Sequence, residues 1–281
     1  MNNFQNGLQL AHDALVRLRE NGAELRASHH SLEALRAPAA PRLPIHSASK
    51  TAPVAAAPSP TMAAPATSFE TVSTPGKSAR LEPLRARALV CQKCPHLART
   101  RTQVVFGVGN LDAELMFVGE APGADEDLQG EPFVGKAGQL LTKIIETMGF
   151  ARGEVYIANV LKCRPDMPPG ASGNRRPTTA EMQTCLPYLR EQIEIVQPRA
   201  LVALGGVAME GLLGTVEPMN RLRGRWHEFQ GIPLMATYHP AYLLRNQSLS
   251  EKRKVWEDML QVLERLGKPI SEKQHGYFLA R

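Results

Sequence analysis

The segment ELMFVGEAPG, residues 114–123, is the clearest indication of the fold. It joins a short apolar run to a glycine-rich turn, which is the pattern of a buried strand that ends in a loop. Similar apolar runs occur at 154–160, 199–204 and 232–238. Their intervals leave room for crossover helices, and strands buried on both faces are typical of parallel sheets. The four runs therefore predict four parallel strands.

The segments between these runs carry helix signals. Residues 138–149 place apolar side chains on one helical face and end in Gly149. Thr178 with Glu181, and Ser248 with Glu251, have the spacing of helix-opening caps. Strands that alternate with helices predict an α/β three-layer sandwich, with a four-stranded, mainly parallel central sheet flanked by helices.

Composition divides the chain into four segments. Residues 1–36 have apolar side chains at roughly helical spacing, which predicts a short amphipathic helix, either marginal and unpartnered or a binding segment for a protein partner. Residues 37–80 are rich in alanine and proline with little charge, which predicts a flexible linker. We assign 81–267 to the functional domain and 268–281 to a C-terminal tail.

Charge and targeting signals narrow the class of protein only slightly. The formal net charge of +6 permits an anionic partner such as nucleic acid without requiring one. The N-terminal residues lack the apolar run of a secretory signal, and no segment has the length of apolar sequence that spans a membrane. We therefore expect a cytoplasmic protein that does not enter membranes, and we expect a monomer.

Polar side chains follow three of the predicted strands. Glu120 follows the first, Asn159 ends the second, and His239 follows the fourth. Functional loops of open α/β sheets gather at the carboxyl ends of the strands, so these groups should converge. Asn159 has the paired donor and acceptor needed to read an amide-like base edge. Taken singly, Glu120 could be a solvated loop acid, His239 a packing residue and Phe133 a core residue.

Four ordered motifs carry a family resemblance: GEAPG at 119–123, PFVGKAG at 132–138, NVLKCRP at 159–165 and HPAYLLR at 239–245. Together with the order of the cysteines, they resemble the uracil-DNA glycosylase superfamily, specifically its fourth, thermophile-type family, which contains an iron-sulfur cluster. The resemblance extends over roughly residues 83–267. It implies a hydrolase that flips uracil out of DNA, cleaves its N-glycosidic bond and leaves an abasic site for base-excision repair.

The resemblance also implies roles for individual residues. Glu120 would position or activate the attacking water, and His239 would stabilise the departing uracil anion. Phe133 would stack on the flipped base, Asn159 would hydrogen-bond its Watson-Crick edge, and backbone amides near Gly119 and Ala121 would help to hold it. For contacts with uracil-containing DNA, the candidates are Leu243 and Leu244 as a wedge and Arg245 on a phosphate, although both leucines could instead pack in a helix.

The chain has four cysteines, Cys91, Cys94, Cys163 and Cys185. In a reducing compartment, four cysteines indicate metal binding or chemistry more readily than disulfides. Cys91 and Cys94 have CxxC spacing, but the other pair does not, which weakens a zinc-ribbon interpretation. The resemblance implies that all four hold a 4Fe-4S cluster. Zinc in the same cage, and buried cysteines without a ligand, remain the alternatives.

One segment departs from the family pattern. Residues 166–174 look like an insertion between Cys163 and Cys185. A related group that becomes covalently linked to uracil-containing DNA has a histidine in an inserted loop near this position. No histidine lies between Cys163 and Cys185 here, so we expect turnover and release of free uracil. Three arginines of this region, Arg164, Arg175 and Arg176, could contact the DNA backbone or form a solvated basic loop.

A rival interpretation assigns the same fold to a protein without catalytic activity. The chain could be a non-catalytic iron-sulfur DNA-binding protein that serves a polymerase or repair complex. A protein that only binds DNA would not need Glu120, Phe133, Asn159 and His239 together, which favours the enzyme.

Overall fold

A six-stranded sheet forms the centre of the computed structural model, which describes residues 75–168, 170–171 and 173–279. The order across the sheet is β1-β3-β2-β4-β6-β5. The strands are β1 (Val108–Gly109), β2 (Leu115–Gly119), β3 (Tyr156–Asn159), β4 (Ala200–Leu204), β5 (Trp226–Phe229) and β6 (Ile232–Thr237). The predicted helix at 1–36, and the predicted linker up to residue 74, lie outside the described residues.

The sheet corrects the predicted strand count. The four predicted runs correspond to β2, β3, β4 and β6, which pair in parallel, but two antiparallel edge strands bring the total to six. β5 forms a tight hairpin with β6 through Gln230 and Gly231, whose φ angles are 51° and 75°. Two consecutive positive φ angles give a turn whose twist matches that of the flanking strands. The prediction of a four-stranded sheet is therefore wrong at both edges.

Helices cover both faces of the sheet. Alternate residues of each central strand point to opposite faces, so Met116 and Val118 join a core with α5 and α6, while Leu115 and Phe117 join one with α4 and α9. The helices are α1 (Lys77–Leu89), α2 (Pro95–Thr100), α3 (Ala124–Gln129), α4 (Lys136–Thr147), α5 (Thr179–Val196), α6 (Gly206–Leu213), α7 (Met219–Leu222), α8 (Pro240–Arg245), α9 (Leu249–Leu266) and α10 (Glu272–His275). The result is an α/β architecture of three layers.

The predicted helix starts are present. The Thr178 hydroxyl accepts a hydrogen bond from Glu181 N at 3.2 Å, and the Glu181 carboxylate accepts one from Thr178 N at 2.7 Å. Ser248 similarly accepts from Glu251 N at 3.4 Å. Each contact satisfies a backbone donor that the first helical turn would otherwise leave unpaired.

The two ends of the described domain are held by specific contacts. α1 begins at Lys77, within the last residues of the predicted linker, and Lys77 Nζ donates to Leu111 O at 3.0 Å and Val196 O at 2.9 Å. In the predicted tail, Trp256 Nε1 donates to Gln274 O at 2.5 Å, which attaches α10 to α9. Within the described residues, none of the helices combines the length and apolar character needed to cross a membrane.

Candidate active site and cysteine cluster

Three strand ends bring the predicted functional groups to one edge of the sheet. Gly119 and Asn159 are paired in register at the carboxyl ends of β2 and β3, and His239 follows the end of β6. The hydrogen bonding between β2 and β3 continues past the ends of both strands, because Glu120 O accepts a hydrogen bond from Leu161 N at 3.0 Å. Glu120 is therefore fixed at the same edge as Asn159.

The side chains of Phe133 and Asn159 pack closely against Gly119. A Cβ atom added at Gly119 would lie 2.3 Å from Asn159 Oδ1 and 2.5 Å from Phe133 Cζ. The rings of Phe133 and His239 have their centroids 5.6 Å apart and are inclined by 31°. The structure thus brings together Phe133, Asn159 and His239, and only glycine at residue 119 leaves room for the first two.

Asn159 carries an unusual buried acceptor. Its side chain is buried, with the residue only 2% exposed, and its Oδ1 has no hydrogen-bond partner among the described residues. Buried polar atoms are nearly always paired in folded proteins, since an unpaired one costs about 1–3 kcal/mol. An unpaired acceptor at a strand end, beside an aromatic ring, is suited to a ligand that donates a hydrogen bond.

His239 is held as a neutral donor. It caps the N-terminus of α8, where its Nδ1 accepts a hydrogen bond from Ala241 N at 3.1 Å. Burial, with a smaller contribution from the positive charge of Arg245, lowers the pKa of His239 to about 4. Because Nδ1 is the acceptor, the single proton of the neutral ring lies on Nε2. His239 can therefore donate a hydrogen bond without carrying charge.

Glu120 is a half-buried carboxylate at the same edge. Burial raises its pKa, the nearby Glu210 raises it further, and Arg176 opposes the shift. Among the described residues, no cation forms an ion pair with Glu120; Arg176 pairs with Glu210 instead. Glu120 is thus available to a water molecule or to a developing positive charge. Ala121, the next residue, is half-buried against the core below.

The backbone of Phe133 adopts a conformation that is rare for an aromatic residue. Its φ angle is 55°, in the left-handed region. Glu126 Oε1 accepts hydrogen bonds from Val134 N and Gly135 N, both at 3.0 Å, and Arg152 Nη2 donates to Phe133 O at 3.0 Å. Sequence reasoning missed both roles. Glu126 lies in a run of acidic residues without a distinguishing signal, and Arg152 belongs to none of the four motifs.

The four cysteines converge on one small cavity, which they line together with Arg101. Arg101 Nη1 donates to Cys163 Sγ at 3.1 Å, and Lys162 N donates to Cys185 Sγ at 3.3 Å. Donors directed at sulfur stabilise thiolates that bind a metal centre. Burial raises the pKa of the Cys163 thiol, and it raises that of Cys185 to about 12. Reactive cysteines have lowered pKa values, so the raised values of Cys163 and Cys185 argue against a nucleophilic role for these two thiols.

The predicted DNA contacts differ in accessibility. Leu243 is 5% exposed and packs in the protein, whereas Leu244 is 39% exposed on the same helix. Arg245 is exposed at the end of α8. Of the two leucines, Leu244 is the one that can reach a partner without rearrangement of the core.

Of the three arginines near the predicted insertion, Arg175 forms ion pairs within the protein. Arg175 Nη2 binds Glu181 Oε1 at 2.6 Å and also pairs with Asp166. His96 Nε2 lies 2.7 Å from the same Glu181 oxygen. His96, Asp166 and Glu181 are close enough to hold a metal ion, but the Arg175 guanidinium already pairs with both carboxylates. They therefore form an ion-pair network.

The remaining two arginines are also tied to protein groups. Arg164 Nη2 donates to Gly173 O at 2.9 Å, and Arg176 pairs with Glu210 on α6. All three arginines of the proposed basic loop thus make contacts within the protein, and Arg176, at 57% exposed, is more accessible than Arg175, at 27%.

Comparison with known proteins identifies the family to which this chain belongs. Residues 106–260 match the family described as the uracil DNA glycosylase superfamily. A type-4 uracil-DNA glycosylase of Thermotoga maritima is 43% identical over 181 residues, which cover 64% of this chain and 91% of the relative. The chain belongs to the uracil-DNA glycosylase superfamily.

Two further relatives agree with this placement. The type-4 uracil-DNA glycosylase of Archaeoglobus fulgidus is 41% identical over 180 residues, 61% of this chain and 87% of the relative. That of Pyrobaculum aerophilum is 42% identical over 167 residues, 57% of this chain and 82% of the relative. The predicted resemblance to the fourth family of uracil-DNA glycosylases is confirmed, while the roles of the individual residues remain predictions.

Proposed function

We propose that this chain is a DNA glycosylase that binds uracil flipped out of DNA and hydrolyses the bond between uracil N1 and deoxyribose C1′. The products are free uracil and an abasic site, which base-excision repair then processes. Flipping is required because the glycosidic bond is inaccessible inside the stacked duplex. Membership of the family supports this activity. In this chain, the strongest structural support is Asn159 Oδ1, a buried hydrogen-bond acceptor without a partner among the described residues.

Recognition of the base follows from the chemistry of its edge. Uracil presents an N3–H donor, which Asn159 Oδ1 can accept, whereas cytosine presents an unprotonated N3 acceptor that would oppose this oxygen. A flipped base would lie against the ring of Phe133, which can stack on its π face. Any side chain at Gly119 would enter the space where Asn159 and Phe133 approach each other.

Bond cleavage separates charge, and two residues match the two charges. As the C1′–N1 bond breaks, its electron pair moves to uracil, and negative charge develops at O2, where the Nε2–H of His239 can donate. Positive charge develops on the sugar, where the Glu120 carboxylate can balance it and orient the water whose oxygen bonds to C1′. The proton released by that water passes to Glu120 or to solvent. Groups aimed at charges that exist fully only in the transition state raise the rate without tightening substrate binding.

Contacts with the DNA would lie on α8, directly after His239. The exposed Leu244 is the candidate for filling the space that the flipped base leaves, and the exposed Arg245 is the candidate for a phosphate contact. Because His239 begins this helix, insertion of Leu244 and placement of the base beside His239 would occur together.

The activity is tested with an oligonucleotide that contains one uracil. We expect alkali-labile strand cleavage after incubation with the protein, and none with matched thymine or cytosine oligonucleotides. The Glu120→Gln variant, purified in parallel, should excise uracil about a hundredfold to a thousandfold more slowly while it still binds the same DNA. DNA binding without excision by the parental protein would support the non-catalytic alternative.

We further propose that Cys91, Cys94, Cys163 and Cys185 hold one 4Fe-4S cluster. All four line one cavity, and two of their sulfur atoms accept N–H hydrogen bonds. Among the described residues, no three of the sulfur atoms all lie within 4.8 Å of one another. A single zinc ion with Zn–S bonds of about 2.3 Å would bring its four sulfur atoms to within ~4 Å. The wider spacing favours a cluster, which would tie α1 and α2 to the segment from Cys163 to Cys185.

Metal analysis of anaerobically purified protein tests this assignment. We expect about four iron and four sulfide ions per chain and a brown solution. The Cys185→Ser variant should contain less iron than the parental protein. Stoichiometric zinc without iron in the parental protein would support the zinc alternative instead.

A further inference from the structure

We infer that Arg152 is a positioning residue for the base-stacking ring of Phe133, an inference that rests on the proposed uracil excision. Arg152 lies outside the motifs that carry the family resemblance. It belongs to a short 3₁₀ turn, Arg152–Glu154, that precedes β3. Its side chain reaches back along the chain to the loop that carries Phe133.

The guanidinium of Arg152 makes three hydrogen bonds, two to the Phe133 loop and one to α4. Nη2 donates to Pro132 O at 2.7 Å and to Phe133 O at 3.0 Å. Nη1 donates to Thr142 Oγ1 on α4 at 3.0 Å. The planar guanidinium thus joins two carbonyl groups of the loop to α4. Its contact with Phe133 O fixes the orientation of that carbonyl directly.

The other side of the same loop is held by Glu126. Its Oε1 accepts from Val134 N and Gly135 N, and its Oε2 accepts from Gly123 N at 3.0 Å. Arg152 therefore fixes the carbonyls on one side of Phe133, and Glu126 fixes the N–H groups on the other. Opposed contacts of this kind can maintain the positive φ angle of Phe133, which an aromatic residue does not adopt readily.

The packing leaves the loop little freedom to take another course. A Cβ atom at Gly138, in the first turn of α4, would lie 1.8 Å from Phe133 O. The carbonyl that Arg152 binds is thus pressed against the helix backbone. Lysine has one charged nitrogen and cannot present the fork of donors that Arg152 uses. Without the guanidinium, the Phe133 peptide could turn, and the ring would shift relative to Asn159 and His239.

A double-mutant cycle tests whether Arg152 acts through Phe133. Single-turnover excision is measured with a saturating excess of protein over the uracil oligonucleotide for Arg152→Gln, Phe133→Ala and the double variant. We expect Arg152→Gln to slow excision by about tenfold to a hundredfold, the range for small misplacement of a reacting partner. In the Phe133→Ala background, the same change should slow it by less than about twofold, because the ring that Arg152 positions is gone.

Two further variants separate positioning from general stability. Arg152→Lys should lie between the parental protein and Arg152→Gln, and methylguanidinium added to Arg152→Ala should restore part of the rate. Arg199→Gln is the matched control; Arg199 pairs with Glu114 at 2.9 Å at the amino end of β4, away from the site, and this variant should keep the parental rate. If Arg152→Gln fails to fold, rescue of Arg152→Ala and the rate of Arg152→Lys still decide the question.

Other outcomes would overturn the inference. Equal slowing by Arg152→Gln in both backgrounds would mean that Arg152 does not act through Phe133. A parental rate for Arg152→Gln, or no recovery with methylguanidinium, would likewise contradict it. These results differ from failure of the proposed function, in which the parental protein itself would not excise uracil.

Discussion

His239 has an observed structural role as a helix cap and a proposed chemical role in excision. Its Nδ1 caps α8, and this contact places the proton on Nε2, facing away from the helix cap. Because burial lowers its pKa to about 4, His239 stays neutral throughout the physiological range. If His239 acts as a neutral hydrogen-bond donor to the uracil anion, its protonation should not limit the excision rate near neutral pH. A histidine that had to be charged to act would make the rate fall as the pH rose above its pKa.

The pH profile of excision distinguishes these cases. We expect no inflection near pH 6.5 from His239. The rate should instead rise with pH through the ionisation of Glu120, whose pKa burial raises above its usual 4.5, and then level off because the ionised form is active. Single-turnover rates between pH 4.5 and 8.5 would measure this. An inflection near 6.5 that disappears in His239→Ala would contradict it.

Loss of the donor should affect the rate more than binding. We predict that His239→Ala slows excision about a hundredfold and leaves the affinity for uracil-containing DNA nearly unchanged, because the anion exists only in the transition state. Gel-shift titration beside single-turnover kinetics measures both. A rate equal to that of the parental protein would remove His239 from the mechanism.

Gly119 offers a second test at the residue level. In Gly119→Ala, the new methyl group would meet Asn159 Oδ1 and Phe133 Cζ, at 2.3 Å and 2.5 Å in the unrelaxed structure. We expect excision to fall by about a hundredfold, since displacement of groups by about 1 Å can have this effect. Overpacking should cost about 1–3 kcal/mol of unfolding free energy.

Gly153→Ala is the matched control for that change. A Cβ atom at Gly153 would meet nothing within 4 Å. Excision and thermal unfolding of this variant should equal those of the parental protein. If Gly119→Ala also excised uracil at the parental rate, the base would not occupy the space beside Asn159 and Phe133.

Much of the candidate site could be predicted from the sequence, and the reason is topological. Glu120, Asn159 and His239 each stand at the end of an apolar run, and parallel strands end at the same edge. Arg152 could not be predicted, because it acts through backbone carbonyls about 20 residues away and leaves no motif. The choice between Leu243 and Leu244 depends on the rotation of α8, which a short segment does not specify.

At the level of elements, the edges of the sheet were harder to predict than its centre. β1 has only two residues, too few for a periodic pattern. β5 precedes a Gln230-Gly231 turn, and the glycine was a usable hairpin signal. The central strands were predictable because burial on both faces requires continuous apolar runs.

An ion-pair network joins Asp166, at the start of the predicted insertion, to Glu181 on α5 through Arg175. We predict that Arg175→Gln lowers the free energy of unfolding by about 2 kcal/mol, because it leaves the buried Glu181 carboxylate without its main cation. Urea unfolding at pH 7 measures this. Arg199→Gln, which breaks an exposed pair, should cost less than about 1 kcal/mol.

The pH dependence of this contribution has a defined sign. Burial alone would raise the pKa of Glu181, but hydrogen bonds from Arg175, Thr178 N and His96 lower it to about 2. Its stabilising effect is therefore complete above the ordinary pKa of 4.5 and is lost as the pH falls from there toward 2. The difference between Arg175→Gln and the parental protein should thus stay constant from pH 8 to pH 5.5. A difference that shrinks across this range would contradict the role of the ionised Glu181.

At the scale of the whole molecule, the candidate site and the cysteine cluster occupy one continuous structure. β3 ends in Asn159, and the chain then reaches Cys163 within four residues. Lys162 lies between them, with its Nζ bonded to Asn159 O at 2.8 Å and its backbone N bonded to Cys185 Sγ. Loss of the proposed 4Fe-4S cluster should therefore disturb β3, which carries Asn159, as well as the fold near α1.

The described domain also contains every residue proposed to act, which leads to a prediction about the N-terminal segment. We predict that removal of residues 1–74 leaves the excision rate within about twofold of the full chain, because no proposed site residue precedes Cys91. Removal of residues 1–80 should behave differently. It deletes Lys77, whose Nζ binds Leu111 O, Val196 O and Asp112, and it removes the first turn of α1. The remaining part of α1 packs Leu84 against Tyr188 and leads directly to Cys91.

The longer deletion should therefore lower the stability by about 1–3 kcal/mol and reduce the iron content of the purified protein, through loss of part-buried hydrogen bonds at the start of the helix that leads to Cys91. Lys77→Met in the full chain is the matched control, since it removes the same contacts and leaves α1 complete. Single-turnover excision on a short oligonucleotide, urea unfolding and iron analysis would be compared among the four proteins. A large drop in excision after removal of residues 1–74 alone would show that the N-terminal segment takes part in the reaction, and equal stability of the two deletions would show that the Lys77 contacts do not hold α1 in place.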